Sequence, residues 1–256
     1  GRMANQVRMR ESLIYKMIFN YHPLFEKTTI DLPSSSSNGS VSLEGGDILV
    51  AREDVLLIGN GSRTTTQGID CIIEHYKKKK GPPKTIIVQE LPALPESFIH
   101  LDMVFTFLSH DECMLYKPVI LKSNKYQTVS IKMANGKVEI GEENNIPEAL
   151  KKAGMDLKPL YCGGRADEWT QEREQWHSGA NFLTVEPGKV IGYARNVYTL
   201  EELNKNGYEI VKAADIIKGT VNLNDYTKAV ISLEGSELPR GGGGARCMSM
   251  PLLRKE

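Results

Sequence analysis

A cysteine, a histidine, several carboxylates and a few arginines are the groups whose types and spacing could carry chemistry in this chain. Cys247 lies in RGGGGARCMSM, Arg240 to Met250, after four glycines, Ala245 and Arg246. A thiol ordinarily titrates at about pH 8.5 and lower beside cations, so Arg240 and Arg246 are expected to favour a thiolate. No Lys-Ser or Lys-Thr follows the glycines, as a Walker loop requires, and no strand–GxGxxG–helix order surrounds them. A loose tail would not continue into Met248, Met250, Pro251, Leu252 and Leu253. What remains is a loop whose glycines admit close backbone approach to a bound molecule and deliver Cys247. A nucleophilic thiol needs a proton carrier, and His100 is the candidate.

His100-Leu101-Asp102 sits in the apolar run IHLDMVFTFL. In a strand, residues i and i+2 face the same way, so His100 and Asp102 are expected to project together. A buried carboxylate needs a partner, which suits either a hydrogen-bonded core pair or a catalytic one. Glu44-Gly45-Gly46-Asp47 sets two acids around a glycine pair. The acids could converge on a cationic group, or the stretch could be a tight turn with solvated charges. Arg63, in GNGSRT ahead of a helix with Ser62 or Thr64 as N-cap, offers a bidentate fork to a carboxylate. Arg8 and Arg10 in VRMRES are similar candidates, unless they lie on the solvated face of a helix. Cys71, Cys113 and Cys162 form no CxxC pair with each other or with Cys247, so metal-ligand spacing is missing and a reducing, cytoplasmic setting is expected. Those three read as buried small apolar groups. His177 and Asn181 read as structural support.

The elements that must position these groups follow a repeating order. Leu13, Ile14, Met17, Ile18 and Tyr21 make an apolar helical stripe that calls for something to pack against. After the polar loop Ser34–Ser40, strands are expected at Val41–Glu44, Ile48–Arg52 and Val55–Gly59, a helix at Thr65–Lys79 and a strand at Thr85–Leu91. Strands at His100–Leu108 and Cys113–Tyr116 follow, then a strand-rich stretch, Tyr126–Gly141, turned by Asn135-Gly136. A helix at Pro147–Ala153 and a strand at Leu157–Tyr161 complete that round. The third holds Asn181–Val185, Val190–Ala194, a helix at Thr199–Asn206 and Tyr208–Lys212, before a last strand at Ala229–Leu233. Strand-strand-helix-strand, three times over, is not the βα alternation of a doubly wound sheet. It predicts an α/β fold of small repeated modules around a common centre, as in propellers.

Bulk composition excludes some partners. Thirty-two basic residues balance thirty-two acidic ones over 256 residues, so charge makes no case for nucleic acid or an anionic membrane. The run Lys77–Lys80 beside Gly81-Pro82-Pro83 suits a solvated helix end better than a polyanion site. No apolar run approaches the roughly 18 residues of a membrane span, and no signal peptide is visible.

Seven stretches, VRMRES, LEGGD, GSRTTT, HLDMVFTFL, REQWHSGANFL, VIGYARN and ARCMSMPLLRK, resemble segments of arginine deiminase in the same order. The resemblance runs from about Arg8 to the C-terminus. It implies the pseudo-fivefold α/β propeller (pentein-like) of the guanidine-modifying enzymes, built of ββαβ modules. It also implies hydrolysis of free L-arginine to L-citrulline and ammonia without metal or organic cofactor. Cys247 matches the nucleophile, His100 the general acid/base, and Glu44 and Asp102 the carboxylates that hold the guanidinium. Arg63 and Arg8 match arginines that grip the substrate's α-carboxylate, and Asp47, Arg240 and Arg246 complete the expected binding set. A cytoplasmic enzyme is implied, with a homo-oligomer allowed.

Two departures stand out. Family members carry an FTRDP-like stretch upstream, whose Asp also binds the guanidinium, and a helical insertion; this sequence contains no Arg-Asp-Pro. Residues 1–256 are therefore expected to form a partial catalytic domain, the C-terminal portion of a deiminase, with little turnover alone. Gly242 also stands where some relatives place another arginine. Agmatine deimination, dimethylarginine hydrolysis, amidino transfer and non-catalytic arginine binding are the alternatives, and Arg63 argues against a substrate without a carboxylate.

Overall fold

Short apolar runs bounded by turn residues become most of the strands. A computed structural model describes residues 1–25, 32–33, 35–36, 39–78, 84–121, 124–165, 167–241 and 243–252. Ser34, Lys79, Lys80, Gly81-Pro82-Pro83, Gly242 and Leu253, each part of an expectation above, lie outside the described residues.

The chain opens with α1 (Met9–Tyr21), β1 (Ser35–Ser36) and β2 (Gly39–Ser40), then β3 (Ile48–Arg52), β4 (Val55–Asn60), α2 (Thr66–Lys78) and β5 (Lys84–Glu90). β6 (Phe105–Phe107), β7 (Glu112–Leu115), α3 (Lys117–Ile120), β8 (Thr128–Ala134) and β9 (Lys137–Glu143) come next. α4 (Ile146–Lys152), β10 (Lys158–Tyr161), α5 (Glu168–Trp176), β11 (Leu183–Glu186) and β12 (Lys189–Tyr193) follow. α6 (Val197–Lys205), β13 (Glu209–Lys212), α7 (Ala213–Ile217) and β14 (Ala229–Leu233) complete the order. The fold is mixed α/β, and the order ββαβ recurs at β3–β5, β8–β10 and β11–β13 if α5 and α7 are set aside. Contacts divide the chain into two units: residues 1–93, 99–101 and 128–142, and residues 94–98, 102–127 and 143–256.

In the first unit the sheet runs β3-β4-β5-β8-β9, with β4 and β5 parallel and β3 and β8 antiparallel to them. The runs VLLIG and TIIV fill the central strands because both faces are largely covered there. α2 crosses between them, laying Ile69, Ile72, Ile73 and Tyr76 against Leu43, Ile58, Ile86, Val88, Ile131 and Met133. Its N-cap is Thr65, whose hydroxyl accepts the Gly68 N–H at 3.2 Å, rather than Ser62 or Thr64. Asn135 and Gly136, both at positive φ, turn β8 into β9.

Three expectations change here. Val41–Glu44 is buried but is not a strand, because loop partners take its backbone groups: Thr65 N–H bonds Ser42 O, and Leu43 N–H bonds Arg2 O. Within the polar loop, Ser35 pairs with Ser40 and Ser36 with Gly39, since backbone pairing needs no apolar side chain. The stripe on α1 stays exposed at Leu13, Ile14, Met17, Ile18 and Tyr21.

In the second unit one sheet runs β10-β7-β6 and another β11-β12-β14-β13, with β12 and β13 both parallel to β14. α5 was not expected from the sequence. Its only large apolar residues, Trp169 and Trp176, are exposed, while Glu174 and Gln175 are buried, so no apolar stripe announces it. Glu174 explains the inversion: its carboxylate accepts the Tyr198 and Thr199 N–H groups at 3.0 and 2.8 Å, at the N-terminus of α6. Helix-end donors and the dipole favour an anion there. No helix among the described residues is long and apolar enough to cross a membrane.

Ile86 is fully buried on β5 at the heart of the α2 cluster. Ile86→Ala should lower unfolding free energy by about 2–5 kcal/mol, read from a chemical denaturation midpoint. An unchanged midpoint would contradict this packing.

Candidate active site

Glu44, 1% exposed, is the hub of the first unit's polar cluster. Its Oε2 lies 2.9 Å from Arg8 Nη1 and 3.0 Å from His100 Nε2, and its Oε1 accepts the Ala4 N–H at 3.0 Å. Arg63 Nη1 stands 3.7 Å from Oε1 and makes no hydrogen bond among the described residues. Arg8 also forks onto Glu11, at 2.8 and 2.9 Å. Arg10, the other arginine weighed in VRMRES, is exposed. Burial pushes Glu44 up, but the His100 hydrogen bond, the Ala4 N–H and the charges of His100 and Arg8 together bring it below its ordinary range.

Asp47 braces the same cluster. Thr64 donates its hydroxyl to Oδ2 at 2.6 Å, and the Leu101 N–H donates to Oδ1 at 2.9 Å. Thr64 Oγ1 in turn accepts the Glu44 N–H at 3.1 Å, so the hydroxyl expected to cap a helix joins two acids instead. The Gly45-Gly46 pair forms a 3-10 turn with Asp47. A Cβ on Gly46 would sit 2.6 Å from the His100 ring, so only glycine lets the imidazole lie against this backbone.

The strand expected over His100–Leu108 is shorter. Leu101–Met103 forms a 3-10 turn and only Phe105–Phe107 pairs as strand, so the two-residue alternation does not apply to His100 and Asp102. They belong to different units and have different partners: Glu44 for His100, Arg246 for Asp102.

In the second unit Asp102 is fully buried and accepts Arg246 Nη1 at 2.6 Å. Cys247 Sγ lies 3.7 and 3.8 Å from its two oxygens. Asn181 donates to Cys247 Sγ at 3.2 Å and to the Asp102 carbonyl at 3.0 Å, and its oxygen accepts the Arg246 N–H at 3.0 Å. Tyr193 donates its hydroxyl to the Gly243 carbonyl at 3.2 Å. Arg240 is exposed and pairs with Glu237 at 2.9 Å.

This geometry reverses the expectation of a cation-lowered thiol. Partial burial of the sulfur, then the Asp102 charge, push Cys247 up to about 12, against smaller opposing effects of the Gly244 backbone, Arg246 and Asn181. The residue as a whole is exposed, so water reaches it more readily than enclosed Cys162, whose thiol burial also raises. Arg246 gives its hydrogen bond to the carboxylate, and Arg240 faces its own salt-bridge partner. Asn181 and Tyr193 are what sequence reasoning undervalued. The available signal was an amide between Ala180 and Phe182 in an apolar stretch, which must find partners once buried.

The arginine deiminase family model matches residues 1–254. The chain belongs to the arginine deiminase family. It is 30% identical over 260 residues to the arginine deiminase of Bacillus cereus, covering all of this chain and 58% of that protein. It is 32% identical over 261 residues to the arginine deiminase of Treponema denticola, again over its full length and 57% of the relative. The chain thus spans less than three-fifths of these curated deiminases. Among solved structures, the N-terminal domain of ArgZ, a cyanobacterial arginine dihydrolase, superposes with a TM-score of 0.56 at 18% identity, over 96% of this chain and 66% of that one. A dimethylarginine dimethylaminohydrolase does so with a TM-score of 0.54 at 18% identity, over 96% and 68%. At that identity the likeness is one of fold alone.

Since Glu44 titrates lower folded than unfolded, its pairing stabilises the protein above the ordinary carboxylate value of about 4.3 and fades as pH falls through the folded value. Glu44→Gln should lower Tm at pH 7 and cost progressively less as the pH is taken to 3. A Tm difference that stays constant over that range would contradict the pairing.

Proposed function

We propose that the protein is a guanidine-modifying hydrolase that converts L-arginine and water to L-citrulline and ammonia. The observation that carries this reading is Cys247 Sγ beside the buried Asp102 carboxylate, in a chain of the arginine deiminase family. The ββαβ order is proposed to belong to a pentein-type propeller, and the setting to be a reducing cytoplasm in which Cys247 stays a thiol.

A guanidinium carbon is a poor electrophile because resonance spreads its charge. By roles carried over from the family residue by residue, Asp102 and Glu44 are assigned to orient the group, and the Cys247 thiolate is assigned the bond to its carbon. The C–N bond to one terminal nitrogen breaks as His100 supplies a proton, so that ammonia leaves and an S-alkylthiouronium remains on the sulfur. Neutral His100 then takes a proton from an attacking water. The C–S bond breaks, giving citrulline and regenerating the sulfur. Nucleophile and proton carrier are both side chains, so the sequence of steps balances without a cofactor. The His100–Glu44 hydrogen bond at 3.0 Å supports the assignment, because a carboxylate partner fixes the orientation of the imidazole. Arg63, with Nη1 buried and lacking a hydrogen bond among the described residues, is assigned the substrate's α-carboxylate. Arg8, placed on Glu44 and Glu11, is a second candidate for that carboxylate.

The Cys247 proton leaves to solvent before attack, and a cation arriving near the sulfur favours that loss. Arg246 already covers part of the Asp102 charge, and a substrate guanidinium beside the same carboxylate would add a cation near the sulfur. A second reading follows from the same pairs: Glu44 and Asp102 each already hold an internal guanidinium, which suits a protein that binds arginine by exchange without turning it over.

In the whole native protein citrulline should form from arginine in a discontinuous assay, and Cys247→Ser should reduce its rate by roughly a thousandfold or more. Turnover persisting in that variant removes Cys247 as nucleophile; arginine binding by calorimetry with no citrulline in the unaltered protein supports the second reading. Arg63→Ala should raise KM for arginine by about tenfold or more while changing agmatine, which lacks the carboxylate, far less. Equal losses for both compounds would refute the carboxylate assignment.

A further inference from the structure

Asn181 is buried, and its single amide engages the cysteine loop from both ends. Oδ1 accepts the Arg246 N–H at 3.0 Å and the Cys247 N–H at 3.3 Å. Nδ2 donates to the Asp102 carbonyl oxygen at 3.0 Å and to Cys247 Sγ at 3.2 Å. The chemistry of the neighbours fixes which way the amide points. Two backbone N–H groups require an oxygen, and a carbonyl oxygen requires a donor, so the nitrogen must face the sulfur. A flipped amide would set oxygen against oxygen and N–H against N–H.

The glycines beside Cys247 are shaped to this contact. A Cβ on Gly244 would lie 2.4 Å from Asn181 Oδ1, and Gly243 has φ +118 with a notional Cβ 2.8 Å from Cys247 Cβ. Side chains at either position would lift the loop off the amide. Asp102, at 3.7 Å, disfavours negative charge on the sulfur, so a directional donor on the sulfur's other contacts has a defined task.

We propose that Asn181 is the positioning residue for Cys247: its oxygen fixes the backbone at 246–247, and its N–H holds and stabilises the thiolate. The catalytic consequence rests on Cys247 being the nucleophile, while the effect on the thiol does not.

The test uses the full chain and follows alkylation of Cys247 by iodoacetamide against pH, with the modified peptide identified by mass so that the other cysteines do not contribute. Asn181→Asp keeps an isosteric acceptor for the two N–H groups but replaces the donor with a charged oxygen. Its alkylation rate at neutral pH should fall by about tenfold or more, with the pH midpoint displaced upward by about one unit. Gly244→Ala retains Asn181 but pushes the loop away, and should shift the profile in the same direction. Wild-type profiles in both variants would overturn the proposal, and so would a wild-type profile in Gly244→Ala if Asn181→Asp does not fold. A shifted thiol profile in protein that makes no citrulline would uphold Asn181's role and count against the hydrolase reading alone. Where citrulline forms, Asn181→Asp should lower kcat with KM little changed.

Discussion

A carboxylate removed from water must be given cations or hydrogen-bond donors in return, and the buried acids of this chain organise their surroundings on that principle. Asp47 ties the Gly45-Gly46 turn to Thr64 and to the backbone of Leu101. Glu44 gathers Arg8, His100 and the N–H of Ala4. In the second unit Glu174 caps α6, and Glu112 receives the Tyr208 hydroxyl and the Lys228 ammonium. Removing one partner of such a set leaves a charge buried without compensation, at a typical cost of about 3–5 kcal/mol. Polar residues therefore specify this structure as firmly as the apolar cluster under α2 does.

The same principle governs the thiol. A cysteine flanked by arginines in sequence suggests a lowered pKa, but a guanidinium goes to the strongest anion within reach. For Arg246 that anion is the Asp102 carboxylate, at 2.6 Å. The sulfur is left with an amide donor and a carboxylate neighbour, and its pKa moves up rather than down. Such surroundings keep the thiol protonated near neutral pH.

Most of the central strands were legible because burial on both faces forces uninterrupted apolar runs, as in VLLIG and TIIV. The turn at Asn135-Gly136 was legible because these residues reach positive φ cheaply. α5 was not, because what it buries is Glu174 and Gln175 while both tryptophans face outward, inverting the signal that periodicity relies on. The reading of His100–Leu108 as one strand failed for a related reason. An apolar run fits a strand or a buried turn equally well, and the Asp47 carboxylate, by taking the Leu101 N–H, supports the turn.

By itself the sequence determined the residue types at issue, Cys247, His100, Asp102, Glu44 and Arg63, together with the family and the mixed α/β character of the fold. Those follow from local chemistry and from ordered motifs, both of which survive without coordinates. Only the tertiary structure decided who meets whom: that Thr65 rather than Thr64 caps α2, that Arg246 serves Asp102 while Arg240 turns to Glu237, and that Asn181 holds the sulfur. Pairing of charges and amides depends on distances between segments as far apart as residues 102 and 246. Sequence spacing carries no record of those distances, because folding sets them through burial and hydrogen-bond satisfaction across the whole unit.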